Sequence, residues 1–134
     1  MSHVLLEKTD HLSDTIYKYQ KGKHVMATPS NLVLRSDLDF DAGKREVILD
    51  TWDRQVAEGQ VAVRTNADVT DIAGQAGAFT LTLQDGSTVE AEAVVLAIGT
   101  QGNPNLLRLP GGDLPHVQYQ LDDPTEYVDE HITV

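Results

Sequence analysis

The sequence predicts an α/β fold with an antiparallel β-meander set into it, and three observations predict this. A short apolar run, His3-Val4-Leu5-Leu6, ends in Glu7-Lys8, the pattern of a buried strand with a charged exit. Ile48, Trp52 and Val56 recur every four residues and so share one face of a helix. From Val61 the apolar period falls to two, the spacing of half-buried strands.

Taken in order, residues 3–6 are long enough for a strand, and Thr9 to Pro29 is polar and irregular. Asn31 to Phe40 mixes apolar and acidic residues around an expected turn. Asp41 is placed as N-cap of a helix running to about Glu58, since its carboxylate can accept from the helix's first unpaired N–H groups. Gly59 is the expected stop. A meander is expected over about 61–93. Val61 and Val63 alternate with polar residues, Val69 to Ala73 forms a second strand, and Gly74-Gln75-Ala76-Gly77 turns the chain. Phe79, Leu81 and Leu83 then share one face of a third strand, and Asp85-Gly86 signals a hairpin into a fourth, Thr88 to Ala93. Val94 to Ile98 is continuously apolar and reads as a buried strand that ends at Gly99. Pro104, Pro110, Pro115 and Pro124 mark Thr100 to Pro124 as a connecting loop, and Ile132-Thr133-Val134 starts another β-like run.

Composition narrows the function. The 134 residues suffice for one domain with a modest core. Ten basic against 21 acidic residues give a net charge of −11, which repels phosphate backbones and argues against nucleic acid as a partner. A dinucleotide is compatible with this charge, because backbone N–H groups at a helix N-terminus can cradle a pyrophosphate. The absence of cysteine excludes a disulfide scaffold, a thiol nucleophile or a zinc–thiolate site in this chain, and fits a cytoplasmic location. No apolar run approaches the roughly 18 residues of a membrane helix, so no membrane partner is expected, and the N-terminus lacks the basic region of a signal peptide.

His3, His11, His24, His116 and His131 show no metal-ligand spacing and read as structural or solvated. Asp37, Asp39 and Asp41 alternate like half of a calcium loop, but Ala42 and Ile48 stand where its glycine and glutamate belong, so they read as a loop and a helix cap. Ser13 and Ser30 have no nucleophile-elbow context. Trp52 reads as core, and Asp122-Asp123-Pro124 as a turn.

The stretch Asp85 to Gly99 resembles the two-dinucleotide-domain flavoproteins, that is, the thioredoxin-reductase-like and other pyridine nucleotide-disulfide oxidoreductases. In that superfamily a hairpin leads into a strand ending Ala-Thr-Gly or Ala-Ile-Gly, here Ala97-Ile98-Gly99 followed by Thr100. Pro104 and Leu109-Pro110-Gly111-Gly112-Asp113-Leu114 resemble its connector between nucleotide domains. His3 to Lys8 resembles the second strand of its FAD-binding unit, and Asp68-Val69-Thr70 the strand whose backbone meets adenine.

The resemblance implies a partial FAD-binding Rossmann-like (FAD/NAD(P)-binding) domain with an inserted β-meander. Residues 1–103 would belong to the FAD-binding domain, 104–131 to a linker and 132–134 to the start of an NAD(P)-binding domain. It implies cofactor contacts at Glu7, Lys8, Val69, Ala97, Ile98, Gly99 and Thr100. Glu7 would accept from the adenosine ribose hydroxyls, because a carboxylate suits a vicinal diol. Gly99 would let the backbone approach the nucleotide closely. The glycine-rich loops that hold pyrophosphate in the superfamily do not occur in this chain, so tight FAD binding by the chain alone is not expected.

The implied activity is that of an FAD-dependent, NAD(P)H-linked oxidoreductase passing hydride from nicotinamide to flavin and on to a small-molecule or protein acceptor. The chain would be a fragment of that enzyme, with room for a homo-oligomer. A non-enzymatic binding or regulatory module, or an inactive truncated remnant, is the alternative. The basic, aromatic cluster Tyr17 to Lys23 either lines the flavin or acceptor site or is a solvated loop. No residue stands out as a catalytic acid or base.

Overall fold

The computed structural model describes residues 2–27, 35, 37–99 and 105–133. Thr100, Pro104 and Val134, which carry parts of the sequence reading, lie outside the described residues, as does Ser30. The chain forms two compact units, Met1–Asp14 with Asp53–Gly99, and Thr15–Trp52 with Thr100–Val134.

In the first unit, β1 (Leu5–Leu6) pairs in parallel with β4 (Val63–Arg64), Leu5 opposite Val63 and Leu6 opposite Arg64. Val63 therefore belongs to a parallel pair, not to the meander where its alternating pattern put it. Local period reports which face a residue takes, not which strand it joins. The meander itself is β5 (Val69–Gln75), β6 (Ala78–Leu83) and β7 (Thr88–Ala91), antiparallel in chain order. Its first turn is tighter than expected, since Gly74 and Gln75 still pair with Phe79 and Ala78. Leu81 and Leu83 alternate onto one face of β6 and are buried, as is Ala67 just before β5. At the second turn Gly86 adopts φ +81° and its N–H donates to Leu83 O at 2.9 Å.

The expected buried strand at Val94 to Ile98 is not formed. These residues take part in no ladder, and Val95, Leu96 and Ile98 are 89%, 68% and 86% exposed. A strand exists through its neighbour's hydrogen bonds, and no described strand runs beside this segment. Residues 131–133 are likewise outside any strand.

In the second unit, β2 (His24–Val25) pairs antiparallel with β3 (Gly43–Lys44). This pairing claims the residues before the helix, so α2 runs Arg45–Glu58, its residues from Asp53 onward belonging to the first unit, and starts four positions after Asp41. Asp41 therefore lies outside the cap position of α2, and its N–H donates to Asp39 Oδ1 at 2.8 Å. Ile48 is buried, and Trp52 is half-buried with Nε1 donating to Asp39 O at 2.9 Å and its ring 5.5 Å from that of Phe40. A four-residue helix, α1 (Asp14–Tyr17), breaks the loop that the sequence left irregular. Residues 105–123 hold neither helix nor strand, as expected of a loop, and a 3₁₀ turn follows at Pro124–Tyr127.

Candidate functional site

The end of β1 is the best-defined site. The Glu7 N–H donates to Arg64 O at 3.0 Å, and Glu7 O accepts from Ala67 N at 2.9 Å. The backbone of Glu7 is thus held on both sides by residues 64–67. Its side chain, half-buried, folds back: Thr9 N donates to Glu7 Oε1 at 2.9 Å, and Thr9 Oγ1 lies 3.1 Å from the same oxygen. Glu7 Oε2 takes no hydrogen bond among the described residues. Next to it, Lys8 Nζ pairs with Asp68 Oδ2 at 3.0 Å. Asp68 immediately precedes Val69, which pairs with Leu83 at the start of the meander.

The structure thus brings together Glu7, Lys8 and the neighbourhood of Val69. Ala97, Ile98 and Gly99 lie in the same unit but are exposed, and no described hydrogen bond ties them to Glu7. Gly99 has φ +66°, a conformation that suits glycine. Sequence reasoning missed Thr9 and Asp68's ion pair; the small polar residue two positions after Glu7 was the available signal for the first.

Beside this site lies an open groove of about 520 Å³ with an apolar floor of Leu12, Val56, Val61 and Val63 and with Asp10, His11 and Asp53 among its lining. His11 places Nδ1 2.6 Å from Asp10 Oδ1 and Nε2 3.1 Å from Asp14 Oδ1. The histidine is therefore held between two carboxylates. Among the described residues no group of three or more potential ligands is arranged to hold a metal ion.

The Tyr17–Lys23 cluster has structural partners. The Arg45 guanidinium lies 5.2 Å from the Tyr17 ring and its Nε donates to Tyr17 O at 3.0 Å; Lys23 Nζ sits 4.3 Å from the Tyr19 ring. Gly22 N donates to Glu46 Oε1 at 3.1 Å, and this bond leads the causes that hold the Glu46 carboxyl below its ordinary range.

The family model for pyridine nucleotide-disulphide oxidoreductases matches residues 1–134. The chain belongs to that family. A ferredoxin–NADP reductase of Ignicoccus hospitalis is 35% identical over 51 residues, 38% of this chain and 17% of that protein. Among solved structures, bacillithiol disulfide reductase Bdr (YpdA) of Staphylococcus aureus matches 92% of the chain with a TM-score of 0.75 and 23% identity. The Bacillus cereus enzyme of the same name matches 92% with a TM-score of 0.68 and 22% identity. The chain spans 39% and 40% of these two proteins. At this identity the likeness is one of fold: α/β, with an antiparallel three-stranded sheet set into it.

Proposed function

We propose that this chain supplies the adenosine-binding part of the FAD domain of an oxidoreductase that takes hydride from NAD(P)H and passes it to a small-molecule or protein acceptor. The observation that carries the reading is Glu7: a half-buried carboxylate at the end of a parallel strand, its backbone fixed by Arg64 and Ala67, with Oε2 available to accept. These residues fit the ribose of a dinucleotide, whose vicinal hydroxyls donate to a carboxylate. The flavin, once bound, supplies the hydride-transfer chemistry. The protein's part at this end is to hold the cofactor, with Glu7 on the ribose and the backbone around Val69 on adenine. Lys8, tied to Asp68, helps keep that edge in place.

In this reading residues 1–103 are FAD-domain, 104–131 linker and 132–134 the start of the NAD(P) domain. Ala97, Ile98, Gly99 and Thr100 complete the nucleotide contact within the larger flavoprotein. A cytoplasmic setting suits this chemistry, and no described helix is long and apolar enough to cross a membrane.

Titration of FAD with the 134-residue chain, followed by flavin fluorescence, tests the reading. Saturable quenching that Glu7→Gln weakens supports it. Quenching indifferent to Glu7→Gln, or none up to millimolar protein, removes the adenosine site from this chain and leaves a non-enzymatic module or an inactive remnant.

A further inference from the structure

Thr9 is bound into the site more firmly than a loop residue needs to be. Its O accepts from Asn66 N at 2.8 Å, its N–H donates to Glu7 Oε1, and its hydroxyl lies 3.1 Å from Glu7 Oε1 and 2.7 Å from His11 O. The hydroxyl has one proton for those two acceptors, of which His11 O is the nearer. Both ends of the Glu7–Thr9 turn are thereby pinned to residues 64–67, and both Thr9 donors face one carboxylate oxygen. The other oxygen is the one without a described donor.

A glutamate side chain has three rotatable bonds, and immobilising it on binding lowers affinity. A carboxylate already tied at one oxygen has lost that freedom before a ligand arrives. We propose that Thr9 is a positioning residue, holding Glu7 Oε1 so that Oε2 meets the ribose hydroxyls of the adenosine half of a dinucleotide. This rests on the function proposed above.

Valine matches threonine in shape but has no hydroxyl, so Thr9→Val keeps the backbone N–H bond and removes the side-chain one. The probes are ADP and 2′-deoxy-ADP, titrated into the full chain by calorimetry or chemical-shift perturbation. The unmodified chain should prefer ADP. Thr9→Val should weaken ADP binding about three- to tenfold, the span expected for loss of one preordered side chain. It should also shrink the preference for ADP over 2′-deoxy-ADP, while Thr9→Ser restores both. A general loss of structure would weaken both nucleotides alike, so the ratio separates positioning from folding. Should Thr9→Val not fold, Thr9→Ala gives the same comparison. Thr9→Val keeping the full preference while Glu7→Gln abolishes it overturns the role of Thr9 and leaves the adenosine site standing. Glu7→Gln without effect on the preference, or no ADP binding at all, overturns both.

Discussion

Lys21 and Asp123 are 102 positions apart in the chain, and Lys21 Nζ donates to Asp123 Oδ2 at 2.6 Å. Asp123 also accepts from Thr125 N and Oγ1 through Oδ1. The Lys21 bond first, then those from Thr125, hold the Asp123 carboxyl at about 2, below its ordinary 3.8, and the same pair raises Lys21 above 10.5. A depressed carboxyl stabilises the folded state above its unfolded pKa and loses that contribution as pH falls through the folded one. A raised ammonium contributes below its unfolded pKa and loses its share as pH climbs through the folded value. Asp123→Asn should therefore lower the melting temperature at neutral pH, and the gap should close between about pH 4 and pH 2. Melting curves of both proteins across that range check this; a gap that persists below pH 2 would show another origin.

The C-terminus of α2 predicts a stabilising change. Gln60 N donates to Ala57 O at 3.1 Å and Val61 N to Val56 O at 3.1 Å, the paired bonds of a Schellman cap. That motif needs a left-handed residue, and Gln60 supplies it at φ +50° while Gly59, beside it, does not. A side chain in this conformation costs about 1 kcal/mol relative to glycine. Gln60→Gly should raise stability by about that amount in urea unfolding, with an unchanged m-value.

Much of this architecture was legible from local pattern. Ile48, Trp52 and Val56 marked the helix, Phe79, Leu81 and Leu83 marked the central meander strand, and Asp85-Gly86 its turn. What was not legible depended on distant partners. The pairing of Leu5 with Val63 joins residues far apart in sequence, and that of His24 with Lys44 moves the helix start past Asp41. The cap was misplaced by one residue because glycine is a preference and the hydrogen-bond register decides. At the candidate site, Glu7 and Val69 came from the family resemblance and not from local pattern, and an ion pair such as Lys8–Asp68 is invisible until β1 and the start of the meander meet.

The turns of the meander should respond unequally to a methyl group. At Gly74, φ is +102° and an added Cβ would collide with Ala78 O, in the paired strand. Backbone cannot yield there without breaking the ladder, so Gly74→Ala should cost about 3 kcal/mol or more. Gly86 has φ +81° but open space around it. Gly86→Ala should cost only the conformational penalty, roughly 1 kcal/mol. Urea midpoints of the two variants give the comparison; equal losses would show that contact with Ala78 is not the cause.

The apolar run at 94–98 and the apolar face of β6 look equally core-like in sequence, yet the structure separates them. Leu83 is 2% exposed and Val95 is 89% exposed. Removing a buried leucine's methyl groups forfeits transfer free energy and leaves a cavity, so Leu83→Ala should destabilise the chain by about 2–5 kcal/mol. Val95 has no packing to lose, and Val95→Ser should change stability by no more than about 0.5 kcal/mol. Chemical unfolding of the 134-residue chain, monitored by β-sheet circular dichroism, measures both. A large loss for Val95→Ser would mean that this segment packs in solution as the sequence pattern suggests, and that the strand forms once it finds a neighbour.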